Sequence, residues 1–122
     1  MTLARRRVPT TLVTGASGAA REAAILARLA PGEGGAAILE GLPDGRALLD
    51  NTPDLDLRRI APGCLCCTGN LVLRVTLNRL LRQAPERLFI GLATHDHLDQ
   101  LRSWLASPPY DQLLELTPDL AS

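Results

Sequence analysis

The sequence predicts an α/β fold: one domain with a parallel sheet covered by helices on both faces, in three layers. Three observations predict it. Short apolar segments rich in Val, Ile and Leu alternate with amphipathic helical stretches, the pattern of parallel strands joined by helical crossovers. A glycine-containing loop follows the first strand and opens the first helix. The 122 residues suit a single domain, 1–122, and 46% of them are hydrophobic, enough for one packed core.

Each element follows in order. Thr11-Leu12-Val13-Thr14 reads as a buried strand ending at Gly15. From Gly18 to Ala30 the pattern turns helical, with Ala23, Ala24, Leu26, Ala27 and Ala30 on neighbouring faces and Pro31-Gly32 as a stop. Ala36 to Leu39 is a second strand, followed by a turn-rich stretch through Pro43-Asp44-Gly45 to Pro53. Leu55 to Ile60 is a third strand, closed by Pro62-Gly63. Asn70 to Arg82 is the clearest helix, with Leu73, Leu77, Leu80, Leu81 and Ala84 in one stripe. Arg87 to Ala93 holds the apolar run of a fourth strand, and Leu98, Leu101 and Leu105 mark a helix capped by Asp96. Gln112 to Leu116 forms a last strand. The ends, 1–9 and 117–122, read as loose.

Charge and composition exclude several functions. Acids and bases number 13 each, so no net field draws the chain to nucleic acid or to a membrane. Phe89, Trp104 and Tyr110 are the only aromatic residues, too few for a base-stacking surface. Arg5-Arg6-Arg7 is the one basic run and reads as a solvated arm. The stretch after it is broken by Pro9 and by threonines, so it makes no signal peptide, and no segment reaches a membrane-spanning length. A cytoplasmic protein is expected.

The loop Gly15-Ala16-Ser17-Gly18-Ala19-Ala20-Arg21-Glu22 stands where a phosphate-binding loop would. Such a loop reads GxxxxGK followed by Ser or Thr. Gly15 supplies the first glycine and Gly18 an additional one, but the second required glycine is Ala20, the lysine is Arg21 and the magnesium-binding hydroxyl is Glu22. Ala20 brings a methyl group to a crowded position, Arg21 has a planar head in place of a point charge, and Glu22 would set a carboxylate against phosphate. The alternative is that the glycines simply make a tight turn. On the nucleotide reading, Gly15, Gly18, Arg21 and Glu22 are the binding positions. On a third, Arg21 and Glu22 themselves fill the anion site. Thr14-Gly15-Ala16-Ser17-Gly18 also resembles the nucleotide loop of short-chain dehydrogenases, but those enzymes need a Tyr and Lys pair, and this chain contains no Lys.

The most specific local signal is Gly63-Cys64-Leu65-Cys66-Cys67. Three cysteines within four positions do not make a disulfide framework. Their thiolates suit zinc or copper(I), not magnesium or calcium. A tetrahedral zinc needs a fourth ligand, and His95 or His97, the only histidines, or water would supply it. Redox chemistry at Cys66-Cys67, or simple packing, are the alternatives.

Taken in order, the glycine loop, the Gly-Cys-x-Cys-Cys motif, the amphipathic helix and the apolar strand resemble the CobW-type branch of the P-loop GTPases, with its UreG and HypB relatives. The similarity runs from Thr11 to Ala93. The resemblance implies a shortened P-loop NTPase-like fold, a metal-binding cysteine motif at residues 64–67, and delivery of a transition metal ion, commonly zinc, to a receiving protein. It also implies GTP hydrolysis, and there the sequence departs. Besides the changes at 20–22, the family's Glu-x-x-Gly switch is matched by Gly91-Leu92-Ala93-Thr94, and no match to its guanine-reading Asn-Lys-x-Asp motif occurs in this Lys-free sequence, so that motif and the family's C-terminal domain are expected to be missing. GTP and magnesium are therefore not expected as cofactors, and a metal carrier with a degenerate GTPase site is. A weak GTP binder, and an interaction module that pairs through sheet edges as a homodimer, are the alternatives.

Overall fold

A computed structural model describes residues 7–15, 17–29, 34–41, 52, 54–60, 70–92 and 98–121. Within them the chain runs β1 (Val8–Thr14), α1 (Gly18–Leu26), β2 (Gly35–Glu40), β3 (Leu55–Ile60), α2 (Asn70–Arg82), β4 (Arg87–Gly91), α3 (Leu98–Leu105), α4 (Tyr110–Leu113), β5 (Leu114–Leu116) and β6 (Leu120–Ala121). The strands form one sheet in the order β3-β2-β4-β1-β5, with β6 also pairing with β1, and every pairing between them is parallel.

The alternation of side chains along each strand divides the apolar residues between two cores. On one face Leu12, Ile38, Leu88 and Ile90 meet Leu73, Leu77 and Leu80 of α2 and Leu101 and Leu105 of α3. On the other, Val13, Ala37, Leu39, Leu57 and Phe89 meet Ile25 of α1. The three-layer parallel α/β architecture is thus present, consistent with a shortened P-loop NTPase-like domain. β1, β2 and β4 lie inside the sheet, which is why Leu12, Ile38, Leu88, Phe89 and Ile90 are completely buried.

Local chemistry sets the helix ends. Ser17 caps α1, its side chain accepting from the Ala20 amide at 3.0 Å. α2 ends where Gln83 and Ala84 donate back to Leu80 and Leu81, with Ala84 in the left-handed region at φ 49°. α1 ends at Leu26, short of the predicted Ala30, because Ala27 and Arg28 form a turn that lets Leu29 pack beside Ile25.

The structure corrects the predicted ends. Val8 and Pro9, expected in a loose arm, open β1, and the Val8 side chain is buried. Pro9 is tolerated because it stands one residue into the strand, before the β4 ladder begins at Thr10. The tail is tied down as well. The Thr117 amide donates to the Thr10 carbonyl at 2.9 Å, Thr117 and Thr11 share a hydroxyl hydrogen bond of 2.6 Å, Asp119 pairs with Arg102, and Leu120–Ala121 form β6. The predicted last strand, 112–116, divides into the end of α4 and β5.

Candidate functional site

In a parallel sheet all strands end on one edge, and ligands gather there. Here β1 ends at Thr14, β3 at Ile60 and β4 at Gly91. The register places Ile60 beside Glu40, and Gly91 beside both Leu39 and Val13. Ile60 and Leu92 therefore stand at the same level, two strand spacings or about 10 Å apart. The segment holding the cysteines follows Ile60, and the segment holding the histidines follows Leu92. Cys64, Cys66, Cys67, His95 and His97 themselves lie outside the described residues, as does Asp96. Among the described residues no three His, Cys, Asp or Glu side chains are grouped to hold a metal ion.

The glycine loop is described apart from Ala16. Gly18 opens α1 and is buried. The Ala20 amide, one of those that would face a phosphate at a helix N-terminus, is taken by Ser17. Arg21 does not extend away from the loop. Its guanidinium donates to the Gly15 carbonyl at 3.1 Å and so bridges the loop's first residue to the helix's first turn. Glu22, at the magnesium-hydroxyl position, is 3% exposed and turns toward the sheet. Its carboxylate receives two charge-assisted hydrogen bonds from Arg59, at 3.2 and 3.5 Å. The side chains at 21 and 22 are thus engaged with the protein's own groups.

Sequence reasoning missed Arg59. The signal was present. Leu55, Leu57 and Arg59 alternate onto the face that packs against α1, and the two leucines are buried. A charge at the end of a buried row requires a partner, and Glu22 is the acid that α1 offers. The pair links α1 to the strand that precedes the cysteine segment in sequence.

At the fourth strand, the position matching the family's switch glutamate is Gly91. A Cβ there would stand 2.8 Å from Leu39 Cδ2. The space is occupied by an apolar side chain from the neighbouring strand, so β4 ends in packing and not in a carboxylate. The Leu92 amide donates to the Val13 carbonyl at 2.9 Å, holding the two strand ends together.

The chain is 34% identical over 119 residues to a protein of Escherichia coli (strain K12). That relative is the zinc chaperone YeiR. The match covers 91% of this chain, which takes in both the glycine loop and the cysteine motif, and the likeness supports the CobW resemblance. The chain spans about a third of the relative's length, 36%. No protein-family model and no solved structure matches the chain. No described helix is long and apolar enough to cross a membrane.

Proposed function

We propose that this protein is a CobW-like, cytoplasmic metal carrier whose cargo is zinc, bound through Cys64, Cys66 and Cys67 and handed to a receiving protein. One observation carries the reading: the similarity to a zinc chaperone extends over a chain whose cysteine motif has the ligand chemistry for that ion. The sheet supports it. β3 and β4, the strands that precede the cysteine and histidine segments in sequence, end at one edge about two strand spacings apart, and His95 or His97 is the proposed fourth ligand.

GTP hydrolysis is not part of the proposal. It needs a phosphate cradle, a magnesium ligand and a positioned water. Here Arg21 is bonded to the loop, Glu22 is bonded to Arg59, and Leu39 fills the space beside Gly91.

Protein prepared under reducing conditions is expected to take up one zinc ion per chain. Cys64→Ser and Cys66→Ser should each weaken uptake at least about tenfold, the scale of a lost ligand, with melting temperatures of the metal-free proteins unchanged. A protein that takes up neither zinc nor copper on titration refutes the carrier reading. Tight GTP binding by the unmodified chain contradicts the degenerate-site part of it.

A further inference from the structure

The chain carries no net charge, yet residues 55–82 hold five arginines and one aspartate. This stretch is β3, the cysteine segment and α2. The arginines are distributed unevenly over it. Arg58 pairs with Asp56 at 2.8 Å and Arg59 with Glu22. Arg74 lies over the Trp104 ring, 5.7 Å from its centroid. Arg79 and Arg82 have no carboxylate partner among the described residues, and α2 contains no acidic residue at all.

The same helix exposes apolar surface. Val72 is 46% and Val75 44% exposed, two of the three large exposed hydrophobic residues among those described. At 100° per residue, Val72, Val75, Arg79 and Arg82 fall within one narrow stripe, opposite the buried Leu73, Leu77 and Leu80. β-Branched residues at exposed helical positions cost helix stability and bury nothing in return. Thr76, beside them, bonds back to the Val72 carbonyl at 2.8 Å. Along one side of the stripe runs a groove of about 430 Å³, between α2 and the edge strand β3, bordered by Ile60, Val72, Thr76 and Arg79.

The geometry points to an interaction surface on the outer face of α2 and the adjoining groove, and its occupant is an acidic amphipathic segment of a partner protein. Apolar side chains of that segment meet Val72 and Val75. Its Asp or Glu residues meet Arg79 and Arg82, whose planar guanidinium groups suit carboxylates. A nucleic acid fits less well, because the stripe has no aromatic side chain to stack on bases. A membrane fits less well too: α2's main apolar face is committed to the core, and two valines make no insertion face. The surface borders the cysteine segment at both chain ends, since residues 61–69 connect β3 to α2. A partner bound here therefore meets Ile60 and Val72, described residues on either side of the cysteine segment in sequence. Binding itself does not depend on the metal reading; only the partner's role as recipient of the ion rests on it.

The test uses the full, metal-free chain in reducing buffer, so that its failure is distinct from failure to bind zinc. The probe is a short helical peptide with Leu on one face and Glu on the other, compared with its Lys-for-Glu version. Fluorescence anisotropy gives the affinity and amide chemical shifts locate the site. The Glu peptide is expected to bind and to shift Leu57–Ile60 and Val72–Arg82. Arg79→Gln with Arg82→Gln should weaken it at least about tenfold, and Val72→Ser with Val75→Ser about fivefold, both with melting curves near wild type. The inference is overturned by equal binding of the Lys peptide, by shifts elsewhere, or by no binding. It is likewise overturned if an oligonucleotide or phosphatidylserine vesicles displace the Glu peptide from α2, or if light scattering shows that a second copy of the chain already covers that face.

Discussion

Replacing Arg59 by Met is the most informative single perturbation of the glycine-loop region. The Glu22 side chain is 4% exposed and that of Arg59 22%. At an effective dielectric of about 20, unit charges about 4 Å apart attract by about 4 kcal/mol, and desolvation of the carboxylate cancels much of that gain. Removing Arg59 deletes the attraction and leaves the desolvation in place. Broken buried pairs cost about 3–5 kcal/mol. The lower end applies here, because water enters where the partly exposed arginine stood. Arg59→Met should therefore cost about 3 kcal/mol, a fall in Tm of roughly 10 °C or more for a domain of this size. Glu22→Gln keeps the shape and an acceptor, and it leaves a cation that can turn toward solvent, so it should cost about 1 kcal/mol. Urea denaturation of the two single variants and the double variant measures both costs and the coupling, expected at about 1–2 kcal/mol. If Arg59→Met costs no more than Glu22→Gln, or the two costs simply add, the pair is not the tie between α1 and β3 that the geometry describes.

Two further outcomes follow from the packing. Gly91→Ala sets a methyl group against Leu39, which must move within a filled core, at a cost of about 1–2 kcal/mol; urea denaturation should show this cost largely relieved in a Leu39→Val background. Burial raises the pKa of Tyr110 above its ordinary value of 10.0, against smaller lowering effects from Arg74 and from its hydrogen bond to Asn78. The folded state thus holds the phenol proton more tightly than the unfolded state does. This stability is complete below about pH 10 and is lost as pH rises through the folded value. With a single Tyr and no Lys in the chain, near-ultraviolet absorbance follows the titration directly, and Tyr110→Phe should remove the alkaline loss.

The parts of the fold that were legible from sequence are those where a strong period meets a strong stop. β3 and α2 have the limits read from the residues, Leu55–Ile60 and Asn70–Arg82, because leucine spacing fills each element and Pro62-Gly63 and Pro85 lie outside them. The ends misled for a physical reason. Pro9 looks like a breaker when read alone, but at a strand start its missing N–H costs little. β5 and β6 are three and two residues long. Segments so short carry no period, and β1 and Thr117 place them, not their own side chains. At the candidate site the loop substitutions at Ala20, Arg21 and Glu22 were visible in the sequence. The partner of Glu22 was not, since it lies 37 positions away and is chosen by which face of β3 meets α1.

The position of β1 has a consequence for how the protein is made. β1 is an interior strand, yet synthesis completes its neighbour β4 only at residue 91, and β5 and β6 later still. At usual elongation rates that delay is roughly 4–15 s. Throughout it, Leu12 and Val13 have neither a ladder nor a finished core to enter. For that interval the nascent polypeptide carries an unmatched hydrophobic ribbon, open to meeting another like it.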